Sequence, residues 1–155
     1  MTADYSGSIA IVRQGVTLNC AGHTISGDGT GAGVGAFADG VTVTNCNIHG
    51  FYTGILTSQH GTRILGNVLT QNVEGIRVAA ATGATASGNS ANNNAERGII
   101  VCLGASGNTV SGNAANNNGG VGIVLDTVSA NYVNNNAATT MQMAASSCTP
   151  HPTTN

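Results

Sequence analysis

A glycine followed by an aliphatic residue recurs along most of this 155-residue chain, at intervals of 21, 21, 23 and 24 residues. The repeated pairs are Gly33-Val34, Gly54-Ile55, Gly75-Ile76, Gly98-Ile99 and Gly122-Ile123. Each pair begins a short hydrophobic stretch that ends in Asn-rich sequence. The period suits one turn of a solenoid, in which a repeat buries its apolar face only by stacking on its neighbours. The repeat therefore constrains the architecture more strongly than it constrains the activity.

Aligned repeats show three columns of aliphatic or small residues. Behind the leading glycine, alternate residues such as Ile76 and Val78 are apolar, which is the period of a β-strand with one buried face. The second column contains Val43, Ile64, Ala86, Val110 and Val133, and the third contains Ile48, Leu69, Ala91 and Ala115. We therefore expect an all-β coil with three short strands in each of about six turns. This coil is predicted to occupy residues 1–140, and an irregular tail to occupy residues 141–155.

Between the second and third columns, equivalent positions carry Cys46, Asn67, Asn89, Asn113 and Asn136. Glycine precedes several of them, at Gly66, Gly88 and Gly112. Glycine and asparagine both tolerate a left-handed backbone, and stacked asparagine side chains can hydrogen-bond from turn to turn. The pattern predicts a corner held by a structural asparagine ladder.

Three segments carry a resemblance to a known family: VTLNCAGHTISG at 16–27, GVTVTNC at 40–46 and GNTVSGN at 107–113. Together with the columns, they resemble the right-handed parallel β-helix repeat proteins of the pectin-lyase-like superfamily, especially the NosD-like carbohydrate-associated repeats. The likeness extends over residues 8–140 and implies a single-stranded right-handed parallel β-helix. It does not specify a function, because this architecture hosts lyases, hydrolases, epimerases, phage tailspikes and proteins without known chemistry.

Composition argues against two classes of partner. Only 6% of the residues are charged, the net charge is -2 and 3% are aromatic, so no basic stripe or stacking platform for nucleic acid is expected. No apolar stretch approaches the roughly 20 residues of a membrane span.

Residues 1–14 lack a signal-peptide layout, and strand-like sequence begins at Ser8 without a polar cap. We expect a truncated exported protein, extracellular or on the cell surface, or ends that stack on another chain; no cofactor is expected.

The four cysteines favour an oxidising compartment. Cys20 and Cys46 lie about one turn apart, so they could stack at a distance that a disulfide accepts; the alternative is two small core residues at corners. Cys102 occupies an outward position equivalent to Asp126, and Cys148 lies in the tail, so a second bond could pin the tail to the outer face. No spacing typical of a zinc site is present.

Few residues are suited to catalysis. Polyuronate lyases and epimerases need a base and a charge neutraliser, commonly calcium held by several acids, whereas glycoside hydrolysis needs two carboxylates roughly 5–10 Å apart. The acids here are scattered, and only Asp28 and Asp39 form a plausible catalytic pair. An enzyme, if the chain is one, is expected to be a polysaccharide lyase or a glycoside hydrolase.

Other polar residues give weaker signals. Glu74 and Arg97 share a column, which predicts a cross-rung ion pair worth under about 1 kcal/mol. Arg63 and Arg77 are expected to face outward and are candidates for binding an acidic sugar, although isolated surface arginines are usually solvated. No metal site is expected, because the histidines at corners, His23, His49 and His60, do not form a ligand triad by sequence.

An outward column of aliphatic residues, Leu56, Ile100 and Val124, follows the same strand as Arg77. Such a stripe usually marks a covered surface, which the tail or a second chain could provide. The stripe and the solenoid ends are therefore candidate interfaces of a homo-oligomer.

Three hypotheses follow. The first is a non-catalytic β-helix module of an exported or surface protein that binds carbohydrate or serves as a rigid scaffold. The second is a polysaccharide-active enzyme of pectin-lyase-like type, or a fragment of one. The third is a self-assembling or ice-binding solenoid. Ice binding would need a regular threonine face, and the alternation of Thr42, Arg63 and Thr109 counts against it.

Overall fold

The computed structural model describes residues 1–144, and the regular secondary structure of this part consists of β-strands. Every strand pairs in parallel with the strand one turn away. The chain forms a parallel β-solenoid of about 6 turns, as the repeat predicted, with three faces that we call sheets 1, 2 and 3.

Sheet 1 has seven strands: Ile9–Ile11, Ala32–Ala36, Thr53–Thr57, Glu74–Ala79, Arg97–Cys102, Ile123–Asp126 and Met141–Ala144. Sheet 2 has six: Thr17–Asn19, Thr42–Thr44, Arg63–Leu65, Thr85–Ser87, Thr109–Ser111 and Tyr132–Asn134. Sheet 3 comprises Tyr5–Ser6, Thr24–Ser26, Asn47–His49 and Val68–Thr70, followed by the pair Ala114–Ala115 and Ala137–Ala138. Isolated bridges from Val68 to Ser90 and from Ser90 to Ala114 connect the two parts of sheet 3.

The predicted columns are confirmed by the strand register. Val43 pairs with Ile64, Ile64 with Ala86, Ala86 with Val110 and Val110 with Val133. These columns form one continuous core of buried aliphatic, alanine and cysteine side chains. Because each turn covers the one below, small side chains suffice to exclude water from a thin core.

The repeated glycine of sheet 1 is required by close packing rather than by its φ angle. A Cβ atom at Gly75 would lie 2.5 Å from the carbonyl oxygen of Gly98 and 3.1 Å from the Nδ2 atom of Asn94. Any side chain there would push neighbouring turns apart. The repeated glycine therefore marks the point at which one turn of the solenoid contacts the next.

All three corners of the prism share one local design: a residue in the left-handed region is followed by an inward residue that stacks on its equivalents. The left-handed residues have φ between 51° and 76°. At the first corner, between sheets 1 and 2, the residues before the inward position are Gly15, Gly40, Gly61, Gly83, Gly107 and Ala130. At the second corner, between sheets 2 and 3, they are Asn45, Gly66, Gly88, Gly112 and Asn135. At the third corner, between sheets 3 and 1, they are Gly50, Gln71, Asn93 and Asn117. Further left-handed residues at the first corner, among them Ala80, Leu103 and Thr127, directly follow the sheet 1 strands.

The first turn differs from the others at its second corner. Asn19 pairs with Thr44 and Thr24 pairs with Asn47, so the first turn has two extra residues there. Cys20 and Cys46 form a disulfide across this corner, with a Cα–Cα distance of 4.7 Å. The bond occupies the place that asparagines hold in later turns. Stacking of the two cysteines, one of the alternatives open from the sequence, is therefore what the fold uses.

Sheet 1 continues past residue 140, the boundary expected from the sequence, because Met141–Ala144 pairs with Ile123–Asp126.

The outward column of sheet 1 runs through Leu56, Arg77, Ile100 and Val124 in register. Ile100 and Val124 are buried with Ala79 and Cys102 in a second apolar cluster, separate from the core, whereas Leu56 is half-buried. Cys102 has no free thiol. The predicted bond to Cys148 and the predicted tail lie largely outside the described residues.

Candidate functional site

Three asparagine ladders, rather than the single one predicted, run along the solenoid. The predicted ladder at the second corner is present: the Asn67 backbone N–H and Nδ2 donate to Oδ1 of Asn89 at 2.9 and 3.0 Å, and Asn89 donates in the same way to Asn113. Each Nδ2 atom also donates to a backbone carbonyl of the preceding turn, as from Asn89 to Ile64 at 2.8 Å. The side chains are buried and their hydrogen bonds are made, so they hold the turns in register.

The other two ladders were missed from the sequence. At the third corner, Asn72 donates to Asn94 and Asn94 to Asn118. At the first corner, Asn108 donates to Asn131. The spacing of these residues, 22, 24 and 23, was visible in the sequence. This spacing is hard to recognise at the third corner, because neighbouring positions also carry asparagine, in the runs 92–94 and 116–118, and some of those asparagines are exposed and do not belong to the ladder.

Exposed amides line the third corner. Gln71, Asn93 and Asn117 each precede a ladder asparagine, in consecutive turns. All three side chains are exposed, and within residues 1–144 none of their side-chain amides makes a hydrogen bond. We call these three residues the amide row. Their neighbours in the ladder are fixed, so the row presents amide groups at the regular strand spacing of roughly 4.8 Å.

A shallow groove of about 500 Å³ runs beside the amide row. Its lining includes all three amides and, on the other side of the buried ladder, the small or aliphatic residues Val73 and Ala95. A second hollow of about 330 Å³ continues towards the first turns and shares Phe51 with the groove. The groove therefore offers hydrogen-bonding groups on one side and apolar surface on the other.

Phe51 takes the ladder position at the lower end of this corner. Its backbone N–H donates to Oδ1 of Asn72 at 3.0 Å, and its ring is 2% exposed. A Cβ atom at Gly27 would lie 2.4 Å from this ring. The aromatic ring therefore fills the space below the last asparagine of the ladder, where no polar partner follows.

A buried ionic cluster lies at the start of two sheet 1 strands. Glu74 accepts two hydrogen bonds from Arg77, from Nε and Nη2, both at 2.7 Å, and a third from Arg97 Nη1 at 3.0 Å. The side chains of Glu74 and Arg77 are 0% and 2% exposed. Burial disfavours the charge of Arg77, but the hydrogen bonds and charge of Glu74 outweigh it and hold the pKa of Arg77 above its ordinary value.

This cluster changes two expectations. The Glu74–Arg97 pair forms across rungs as predicted, but it belongs to a buried network and is not the weak pair predicted. Arg77 occupies the outward column yet is not solvated, so it is not open to a sugar in this structure. Arg63, the other candidate, is exposed on sheet 2, and its side chain makes no hydrogen bond or ion pair within residues 1–144.

The candidate catalytic pair is separated by the fold. Asp28 and Asp39 lie beyond opposite ends of the strand Ala32–Ala36. Five residues at roughly 3.3 Å each span about 16 Å, more than the roughly 5–10 Å of a glycosidase pair. Hydrogen bonds from the hydroxyl and backbone N–H of Thr30 hold the pKa of Asp28 below its ordinary value. A carboxyl of this kind stays ionised at neutral pH and is unsuited to donating a proton.

Two of the other acids, Asp39 and Asp4, make local structural contacts. Asp39 accepts from the backbone N–H of His60 at 2.9 Å. Asp4 lies 3.3 Å from His23 Nδ1 and accepts from the backbone N–H of Thr24, which lowers the pKa of Asp4. Among residues 1–144, no group of three or more histidine, cysteine, aspartate or glutamate side chains is placed to hold a metal ion.

The outward face of sheet 2 is richer in hydroxyls than the sequence comparison of Thr42, Arg63 and Thr109 indicated. One column contains, in register, Thr17, Thr42, Arg63, Thr85, Thr109 and Tyr132. Thr85 extends the threonine series. Arg63 and Tyr132 nevertheless interrupt the column, so a continuous threonine face is not formed.

Comparison with known proteins agrees with the architecture. The chain matches a protein family described as "Right handed beta helix region" over residues 6–153. No curated protein matches its sequence. The described residues contain no helix that could span a bilayer.

Proposed function

The chain belongs to the family of right-handed β-helix proteins, and we propose that it is a non-catalytic module that binds carbohydrate on a rigid scaffold. The observation that carries this proposal is the amide row. Three exposed side-chain amides without internal partners stand in consecutive turns beside a groove. Amides both donate and accept hydrogen bonds, which suits sugar hydroxyls.

The disposition of the carboxylates supports the absence of catalysis. Glu74 is enclosed by two arginines, and Asp28 and Asp39 each accept hydrogen bonds at different corners. Glycoside hydrolysis requires a proton donor and a second carboxylate facing one substrate. Lyase chemistry requires a base next to a charge neutraliser. The acids of the described turns serve local structure, which favours binding without turnover.

The scaffold role is supported by the three ladders and the disulfide. Together they fix the position of each turn relative to the next. A ligand that contacts several turns is then bound by groups that are already in place, so less conformational entropy is lost on binding. This rigidity is what a binding surface built from short side chains needs.

The proposal is tested by measuring binding and turnover on the same samples. The purified chain is mixed with insoluble and soluble polysaccharides, including polyuronates with added calcium, and retention is measured by sedimentation and affinity electrophoresis. Mass spectrometry of the supernatant detects cleavage or unsaturated products. We expect retention on at least one polysaccharide without products. Products that disappear in Asp28→Asn or Asp39→Asn would establish the enzymatic alternative, and absence of retention on every polysaccharide would refute binding.

Self-association is a second candidate function, favoured by exposed apolar side chains in the outermost described turns. Met141 and Met143 are 51% and 81% exposed on the last described strand, and Val12 is 72% exposed in the first turn. Unpaired strand edges can template pairing with another chain. Sedimentation velocity over a wide concentration range tests this candidate: we expect larger species that Met143→Lys suppresses. A monomer at every concentration would exclude it.

A further inference from the structure

We propose that the amide row and its groove bind an uncharged polysaccharide in an extended conformation, with the sugar chain parallel to the solenoid axis. This inference rests on the proposed carbohydrate-binding function and adds the site, the ligand class and the orientation. It commits to the third corner, where three of the four left-handed (αL) positions before the inward residue carry Gln71, Asn93 and Asn117.

The third corner differs chemically from the other two. At the second corner, three successive αL positions are glycine, at Gly66, Gly88 and Gly112. At the first corner, five of the six αL positions that precede the inward residue are glycine: Gly15, Gly40, Gly61, Gly83 and Gly107. A separate set of left-handed residues there, Ala80, Leu103 and Thr127, directly follows the sheet 1 strands and carries no amide side chain. Glycine is the residue that costs least in this conformation. In the corresponding turns, the third corner instead places side chains that reach into solvent and make no internal hydrogen bond. Folding alone does not require these amides, because glycine would satisfy the same backbone geometry.

The arrangement of the amides dictates the shape of the ligand. Ladder bonds between Asn72, Asn94 and Asn118 hold three successive turns in register. The amide row therefore runs along the axis, with groups repeated at roughly 4.8 Å and every second group at roughly 9.6 Å. The second distance is comparable to the length of an extended disaccharide unit. A chain lying across the axis would meet only one of these amides.

The groove lining selects against charged sugars. No residue that lines the main groove is charged, and the only ionisable side chain that lines the adjoining hollow is Asp28, which is negative at neutral pH. A polyuronate would lose solvation of its carboxylates without gaining a cation and would be repelled by Asp28. Uncharged hydroxyls meet amides on one wall, and the C–H faces of the sugar rings meet Val73 and Ala95 on the other.

The test uses the whole chain and substitutions that preserve the backbone. The triple variant Gln71→Gly, Asn93→Gly, Asn117→Gly removes the amides, and glycine adopts the φ values of 57°, 57° and 55° without strain. The matched control is Asn135→Gly, an exposed asparagine with φ 51° at the second corner. Binding is measured by ¹H–¹⁵N NMR titration with linear hexasaccharides of β-1,4-linked glucose, xylose or mannose, and with hexagalacturonate as the anionic probe.

We expect at least one uncharged hexasaccharide to shift the amide signals of the third corner, and the triple variant to weaken its binding at least about tenfold. The Asn135→Gly control should bind as the unmodified chain does. If an uncharged sugar binds equally well to the triple variant, the site is wrong although carbohydrate binding stands. If hexagalacturonate binds more tightly than the uncharged probes, the ligand class is wrong. If no probe binds and polysaccharides are not retained either, both this inference and the proposed function are wrong.

Discussion

Replacing a central ladder asparagine should destabilise the solenoid far more than replacing one at the end of the same ladder. In the middle turns, Asn89 is 2% exposed. Its Oδ1 atom accepts from the backbone N–H and Nδ2 of Asn67 at 2.9 and 3.0 Å, and its Nδ2 atom donates to Ile64 and Asn113 at 2.8 and 3.0 Å. Asn89→Ala removes all four bonds and leaves the polar groups of three other residues without this partner.

The magnitude follows from burial. Leaving a buried polar group unsatisfied costs roughly 1–3 kcal/mol, and some of the affected groups keep a second partner, so we expect a loss of about 2–4 kcal/mol for Asn89→Ala. Asn136 makes equivalent bonds to Asn113 and Val110, but it is only half-buried. Water can replace its bonds, so Asn136→Ala should cost about 1 kcal/mol.

The assay is urea unfolding at equilibrium, followed by circular dichroism and interpreted with linear extrapolation. Asn93→Gly is the matched control, because it removes an exposed amide without internal hydrogen bonds and should change the free energy of unfolding by no more than about 0.5 kcal/mol. Equal losses for Asn89→Ala and Asn136→Ala, or a loss below about 1 kcal/mol for Asn89→Ala, would refute the view that buried ladder bonds hold the turns together.

Three further predictions concern the charged and covalent features. Replacing both Cys20 and Cys46 with alanine should lower the free energy of unfolding by about 3.5 kcal/mol, from the loop-closure entropy of a 26-residue separation, as measured by urea unfolding. Glu74→Gln leaves two arginines around a neutral group and should cost about 3–5 kcal/mol by the same measurement. Thr30→Val should raise the pKa of Asp28 towards its ordinary value, as followed by carboxyl NMR titration.

The sign of the pH effect follows from the lowered pKa of Asp28. Its contribution to stability is fully present above the pKa of the unfolded chain, begins to fall below about pH 4, and is lost as the pH falls through the lower folded pKa. Glu96→Gln is the control for Glu74→Gln, because the Glu96 side chain is 53% exposed and forms a surface ion pair with Arg97. A loss for Glu96→Gln as large as that for Glu74→Gln would contradict the assigned role of burial, and an unchanged Asp28 titration in Thr30→Val would contradict the assigned hydrogen bond.

The architecture could be predicted because it repeats. A solenoid places equivalent residues directly above one another, so alignment of repeats identifies the inward columns and even the pairing of Val43 with Ile64. The ladder at the second corner was visible because glycine and asparagine alternate cleanly there, as in Gly66-Asn67. At the third corner, runs of asparagine mix buried ladder residues with exposed ones. Only the folded structure separates Asn94, which is buried, from Asn93, which is exposed.

The candidate site was less predictable, because exposure and partners depend on neighbouring turns. Glu74 and Arg97 were assigned to one column, but the burial of their pair and the participation of Arg77 depend on how the strand packs. The separation of Asp28 from Asp39 also follows from the strand between them, which places them at different corners. Sequence proximity alone favoured a pair that the fold keeps apart.

The most direct test of the central claim is a crystal structure of the chain grown with an uncharged hexasaccharide. The account predicts an intact sugar chain at the third corner, parallel to the axis and hydrogen-bonded to Gln71, Asn93 and Asn117. A cleaved product, or a sugar bound beside Arg63 or the carboxylates with the amide row still in water, would contradict it.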